Sequence, residues 1–80
     1  MSIMGSQIRA ARALLRLTLQ DLADASGVSV ATIIRAEKVD GPPSMTRANL
    51  NALQQALEKA GAVFLPDGGV RPRLPGEGAT

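Results

Sequence analysis

Apolar residues recur at helical spacing over most of this chain and give way near its end to a short continuous run. Ile8, Ala11 and Leu15 stand at i, i+3 and i+7, one face of a helix over residues 6–16 with Ser6 as its N-cap. Thr18 followed by Asp21 approximates a capping box for a second helix, with Leu19, Leu22, Ala23 and Ser26 inward and Asp21 and Asp24 outward. Gly27 supplies the left-handed residue beyond its end. A helix of about two turns is unstable alone, so neighbours must pack it. Ser29 then caps a third helix over 30–38. Ile33, Ala36 and Glu37 turn inward; Val30, Ala31, Ile34, Arg35 and Lys38 face out, an unusually apolar set for an exposed surface.

Asp40-Gly41-Pro42-Pro43-Ser44 breaks the pattern. Thr46 caps a longer helix to Ala60, striped by Leu50, Leu53, Leu57 and Ala60 and ended by Gly61. Residues 62–65 read as a strand, 66–69 as a turn, and Val70-Arg71 as a candidate return strand. Pro72 and Pro75 limit further pairing, and 73–80 reads as a flexible tail. The expected fold is all-α, a compact four-helix bundle with a short C-terminal strand or hairpin. Its expected organisation is one domain over 1–65, the strand or hairpin over 62–72 as a dimerisation element, and the tail.

Composition narrows the function. With 80 residues the chain makes one domain and hides only about 60% of its unfolded surface, a shortfall that a second subunit would remedy. Phe64 is the sole aromatic, so the core must be aliphatic, which suits helices. The absence of cysteine removes disulfides, thiolate metal sites and thiol nucleophiles, and the absence of histidine removes the usual general base and the commonest zinc ligand. With seven carboxylates mostly on solvated faces, the sequence argues against an enzyme and against a metal, cofactor or small-molecule ligand. A net charge of +2 is too small to argue for nucleic acid by itself. The start lacks a basic segment followed by a long apolar one, and no run is long enough to span a membrane. A soluble, cytoplasmic protein is expected.

The spacing from Thr18 to Glu37 carries most of the functional information. Two short helices flank a Gly27-Val28-Ser29 turn, with a small residue, Ala23, where they would touch and a wedge, Ile33, opposite. That is a helix-turn-helix arrangement. The run Leu17-Thr18-x-Gln20-Asp21-Leu22-Ala23-Asp24-x-x-Gly27-Val28-Ser29-x-x-Thr32-Ile33-x-Arg35-x-Glu37 resembles the xenobiotic-response-element (XRE), or lambda-repressor-like, helix-turn-helix family. The likeness covers about residues 8–61.

The resemblance implies a bacterial or phage transcription regulator, most simply a repressor, bound as a homodimer to double-stranded DNA with an inverted repeat. It places Val30, Ala31, Thr32, Ile34 and Arg35 on base edges. Arg35 suits guanine O6 and N7, Thr32 a base or phosphate, and the apolar three thymine methyl groups. The N-termini of the second and fourth helices are natural phosphate seats, and Thr18, Gln20, Ser29, Lys38, Ser44, Thr46 and Arg47 become phosphate candidates. Arg12 and Glu37 match positions that form a buried ion pair.

Three positions depart from the family pattern: Leu19 stands for a phosphate-gripping Gln, Val30 for an Arg or Lys, and Val39 for a Gly. They weaken polar anchoring and keep open a protein-interaction module, such as an antitoxin or antiactivator, on the same fold. Val63, Phe64 and Leu65 are dimerisation candidates, because an unpaired apolar strand needs cover. The strand either pairs with its copy in a second subunit or folds back on its own fourth helix.

Overall fold

The computed structural model describes residues 2–77. Along the chain run α1 (Gly5–Leu14), α2 (Leu19–Ser26), α3 (Val30–Glu37), α4 (Arg47–Lys59), β1 (Ala62–Phe64) and β2 (Val70–Pro72). Four helices and a short antiparallel hairpin are what the periodicity predicts. Thr18, Ser29 and Thr46 each sit in extended backbone and accept the N–H three residues on, from Asp21, Thr32 and Asn49. Each side chain thereby satisfies one of the donors that a helix start leaves without a partner. Gly27, at φ 76°, closes α2.

The first helix departs from expectation at both ends. Met4, not Ser6, is the N-cap, and its N–H donates to Gln7 Oε1 at 2.9 Å. Ser6 lies inside the helix, where its hydroxyl donates to the Asp40 carbonyl at 2.9 Å. At the other end α1 stops at Leu14, two residues short of the periodic pattern. Arg16 takes φ 57°, and the Leu17 N–H folds back onto the Arg12 carbonyl at 2.9 Å. Lys38 and Ala60 are C-caps rather than helical residues. Ala60, expected on the buried stripe of α4, is exposed because it lies past the last full turn.

Every element but β2 contributes buried side chains to one core, aliphatic apart from Phe64, and Val70 of β2 packs against it. Ile8 and Ala11 come from α1, Leu22 from α2, Ile33 and Ala36 from α3, Leu53 and Leu57 from α4, and Phe64 from β1. Ile3 joins them from ahead of α1, fully buried, although no periodicity marked it. Burying one such side chain stabilises by about 1.5–3 kcal/mol, which is what holds helices as short as α2 and α3 in place.

The hairpin covers one end of this core. Ala62 pairs with Pro72, Val63 with Arg71 and Phe64 with Val70. It is closed by Leu65 N–H on the Gly69 carbonyl at 2.9 Å and Arg73 N–H on the Gly61 carbonyl at 2.7 Å. β1 also packs on α1 and α4. It is therefore not the lone strand that would need a second subunit: one edge is paired and Phe64 is buried beneath it. Gln7, buried in α1, ties the turn down by donating from Nε2 to the Leu65 and Gly69 carbonyls at 3.1 Å each. Of the segment expected as a tail, Glu77 returns to Arg71, Oε2 lying 2.6 Å from Nη2. Residues 78–80 lie outside the described range.

Candidate nucleic-acid interface

The α2–turn–α3 unit is fixed by short-range chemistry. Thr18 and Asp21 cap each other reciprocally, with side chain on backbone at 3.0 Å in both directions. Gly27 turns the chain, and its N–H reaches the Ala23 carbonyl at 2.9 Å. The Ser26 hydroxyl donates to the Leu22 carbonyl at 2.7 Å and accepts the Val28 N–H at 3.1 Å, bracing the turn from inside. Val28 and Ile33 are buried and Ala23 is half-buried. α2 packs on α3, and Ala23 lies against the shared core.

The angular position of α3 is set by what it buries. Ile33, Ala36 and Glu37 face inward. Ala31, Ile34 and Arg35 consequently face solvent, with Val30 and Thr32 half-exposed beside them. Ile34, a large aliphatic residue, keeps 38% of its surface exposed. The five base-contact candidates thus share one side of one helix.

Three residues of α1 lock the end of α3 in place. Glu37, 8% exposed, accepts from Arg12 through both oxygens: Nε to Oε2 at 2.8 Å and Nη2 to Oε1 at 3.0 Å. Arg12 Nη1 adds the Leu17 carbonyl at 3.1 Å. The hydrogen bonds to Glu37 raise the Arg12 pKa against the opposing effect of burial, so this guanidinium stays charged. Beside it Arg9 donates to the Glu37 carbonyl and to Asp40 Oδ1, the latter at 3.0 Å. Gly5 packs so tightly that a Cβ there would lie 2.1 Å from the Val39 carbonyl oxygen and 2.3 Å from that of Ala36. The sequence reading missed Gly5, Gln7 and Arg9. Their signals were a glycine at a helix start and polar residues on the first turns, none of which has a meaning until α3, or for Gln7 the hairpin turn, is alongside.

The phosphate candidates divide by what they already do. Thr18, Ser29 and Thr46 are exposed caps, and Gln20 donates to Asp24 Oδ1 at 2.8 Å. Lys38, Ser44 and Arg47 are exposed and have no side-chain hydrogen bond among the described residues. Of the departures noted above, Leu19 and Val30 are half-buried, and Val39 is 41% exposed without needing a positive φ. Among the described residues no cluster of metal-ligating side chains occurs, and no helix is long and apolar enough to cross a membrane.

Two short capped helices joined at a left-handed glycine, the second held by its inner face and open on its outer one, define a helix-turn-helix DNA-binding domain. The helix-turn-helix family model matches residues 8–50, more than half of the chain. The chain belongs to that family, in its XRE branch. No curated protein matches it.

Proposed function

We propose that this protein is a sequence-specific transcription regulator, most simply a repressor, that occupies an inverted-repeat operator as a homodimer with α3 in the major groove. The observation that carries the reading is the outer face of α3. Arg35, Thr32, Val30, Ala31 and Ile34 lie together there on a helix locked from behind by Ile33 and the Arg12–Glu37 pair. Arg35 reads guanine, and the apolar residues lie against methyl groups and groove shape. Lys38 at the end of α3, Ser44 in the following loop and Arg47 at the start of α4 serve as phosphate contacts, joined by the capping hydroxyls of Thr18, Ser29 and Thr46 and by the Gln20 amide.

A dimer would present two copies of α3 to half-sites about 10–10.5 base pairs apart. Its pairing element would be the outer edge of β1, with Val63 and Leu65 flanking it and Phe64 supporting it from the core. The outer edge of β2 is a poor alternative, because Pro72 has no N–H to offer. The cell compartment consistent with this role is the cytoplasm.

Binding-site selection from random duplexes, followed by gel-shift titration at several salt concentrations, tests the proposal. A selected inverted repeat, with affinity falling steeply as salt rises, is expected. Arg35→Ala should lose about 1–3 kcal/mol and relax preference at one base pair per half-site. A chain that binds no duplex but co-purifies with one partner protein would favour the interaction-module reading. The exposed Ile34, with apolar residues at 19 and 30 where polar anchors were expected, is the observation behind that second reading.

A further inference from the structure

Three side chains at the start of α3 are hydrogen-bonded in series. Ser29 Oγ accepts the Thr32 backbone N–H at 3.2 Å and donates to Thr32 Oγ1 at 2.9 Å. Arg35 Nη2 donates to the same Thr32 oxygen at 3.2 Å. A hydroxyl oxygen has two lone pairs and one proton. Both lone pairs of Thr32 are filled from within the helix, so its proton is all it offers outward. Arg35 uses one N–H on Thr32 and keeps the rest of its planar fork free. Lys38, one turn further along, carries only donors.

Among the described residues of α3, no outward side chain beyond the cap is an acceptor that balances them. Glu37, the nearest carboxylate on α3, is turned inward onto Arg12. The remaining outward positions, Ala31, Ile34 and half-covered Val30, are hydrocarbon. Ser29 Oγ has one lone pair to spare, but it sits at the mouth of the helix. The reading surface beyond the cap is donors and methyl groups.

Base edges respond differently to such a surface. Guanine presents two acceptors, O6 and N7, and thymine presents O4 and a C5 methyl group. Adenine N6 and cytosine N4 are donors, and one buried against Arg35 or Thr32 would have no partner. We propose that this face selects a guanine next to a thymine on one strand of each half-site. Arg35 takes the guanine and the Ala31–Ile34 surface takes the thymine methyl. Thr32 is a positioning residue that holds Arg35 in place and keeps the polar part of the surface donor-only. The inference rests on the DNA-binding reading above and specifies its substrate.

The test uses the full chain and the selected half-site, with functional groups replaced one at a time. Substituting 7-deazaguanine, which lacks N7, should weaken binding about tenfold. Uracil for the neighbouring thymine should weaken it about fourfold, the worth of one buried methyl. Purine for adenine, which removes the N6 amino group, should change nothing. Thr32→Val keeps the Ser29 cap on the backbone and should retain helical content while losing most of the 7-deazaguanine penalty. Thr32→Ser should restore that penalty, and Thr32→Ala replaces the valine variant if valine unfolds the chain. An enriched site indifferent to 7-deazaguanine, or dependent on adenine N6 or cytosine N4, overturns this inference alone. Failure to enrich any sequence overturns the sequence-specific reading and this inference with it.

Discussion

Deleting the Glu37 carboxylate would leave the Arg12 guanidinium facing the Leu17 carbonyl with its two strongest partners gone. Arg12 cannot escape by losing its proton, because a guanidinium keeps its charge throughout the working pH range even without Glu37. Glu37→Ala should therefore destabilise by about 3 kcal/mol, the lower end for a broken buried pair because the Arg12 side chain keeps a 25% exposure. Urea unfolding measures it, and a loss well under about 1 kcal/mol would mean the pair behaves as two solvated charges. Arg16 offers the opposite prospect. Its φ of 57° is one that a side chain makes unfavourable by about 1 kcal/mol. Arg16→Gly is expected to raise the melting temperature by several degrees. A fall would show that the arginine side chain does more for the fold than its backbone costs.

Among elements, the junction of α1 with the end of α3 is the least tolerant of change. Gly5 N–H donates to the Gly41 carbonyl at 2.8 Å, and the hypothetical Cβ at Gly5 overlaps two backbone carbonyls that cannot rotate away. Gly5→Ala must push α1 off α3. Circular dichroism and thermal melting should show a net loss of stability, where alanine at an ordinary helix position would gain about 0.5–1 kcal/mol. A neutral result would mean that α1 and α3 are less closely seated. Because α3 is held by the same junction, the variant should also bind selected DNA more weakly than its residual folded fraction predicts.

For the whole molecule, the C-terminal segment is a clasp that responds to acid. Glu77 accepts from Arg71 through both oxygens and from the Leu74 N–H. The Arg71 hydrogen bonds, followed by that backbone bond, lower its pKa to about 2 from 4.5. A carboxylate with a depressed folded-state pKa adds stability above its unfolded value and loses it as pH falls through the folded one. The melting-temperature gap between wild type and Glu77→Gln should thus be full above pH 4.5 and close toward pH 2. A gap independent of pH would remove the charge from the explanation. The clasp holds the end of β2 in place against β1.

Sequence alone determined what repeats or punctuates. Aliphatic spacing fixed four helices because a buried stripe must recur every turn. Thr18, Ser29 and Thr46 marked helix starts because a short hydroxyl in extended backbone can reach the N–H three residues on. The motif from Leu17 to Glu37 identified the family for the same reason: cap, turn and wedge are all local. Contacts between residues far apart in the chain left no such pattern. Ile3, buried ahead of α1, Gly5 against α3 and Gln7 on the hairpin turn all depend on partners at least 30 residues distant or on another element's position. Only the packed chain decided them, and with them how firmly α3 is seated against α1.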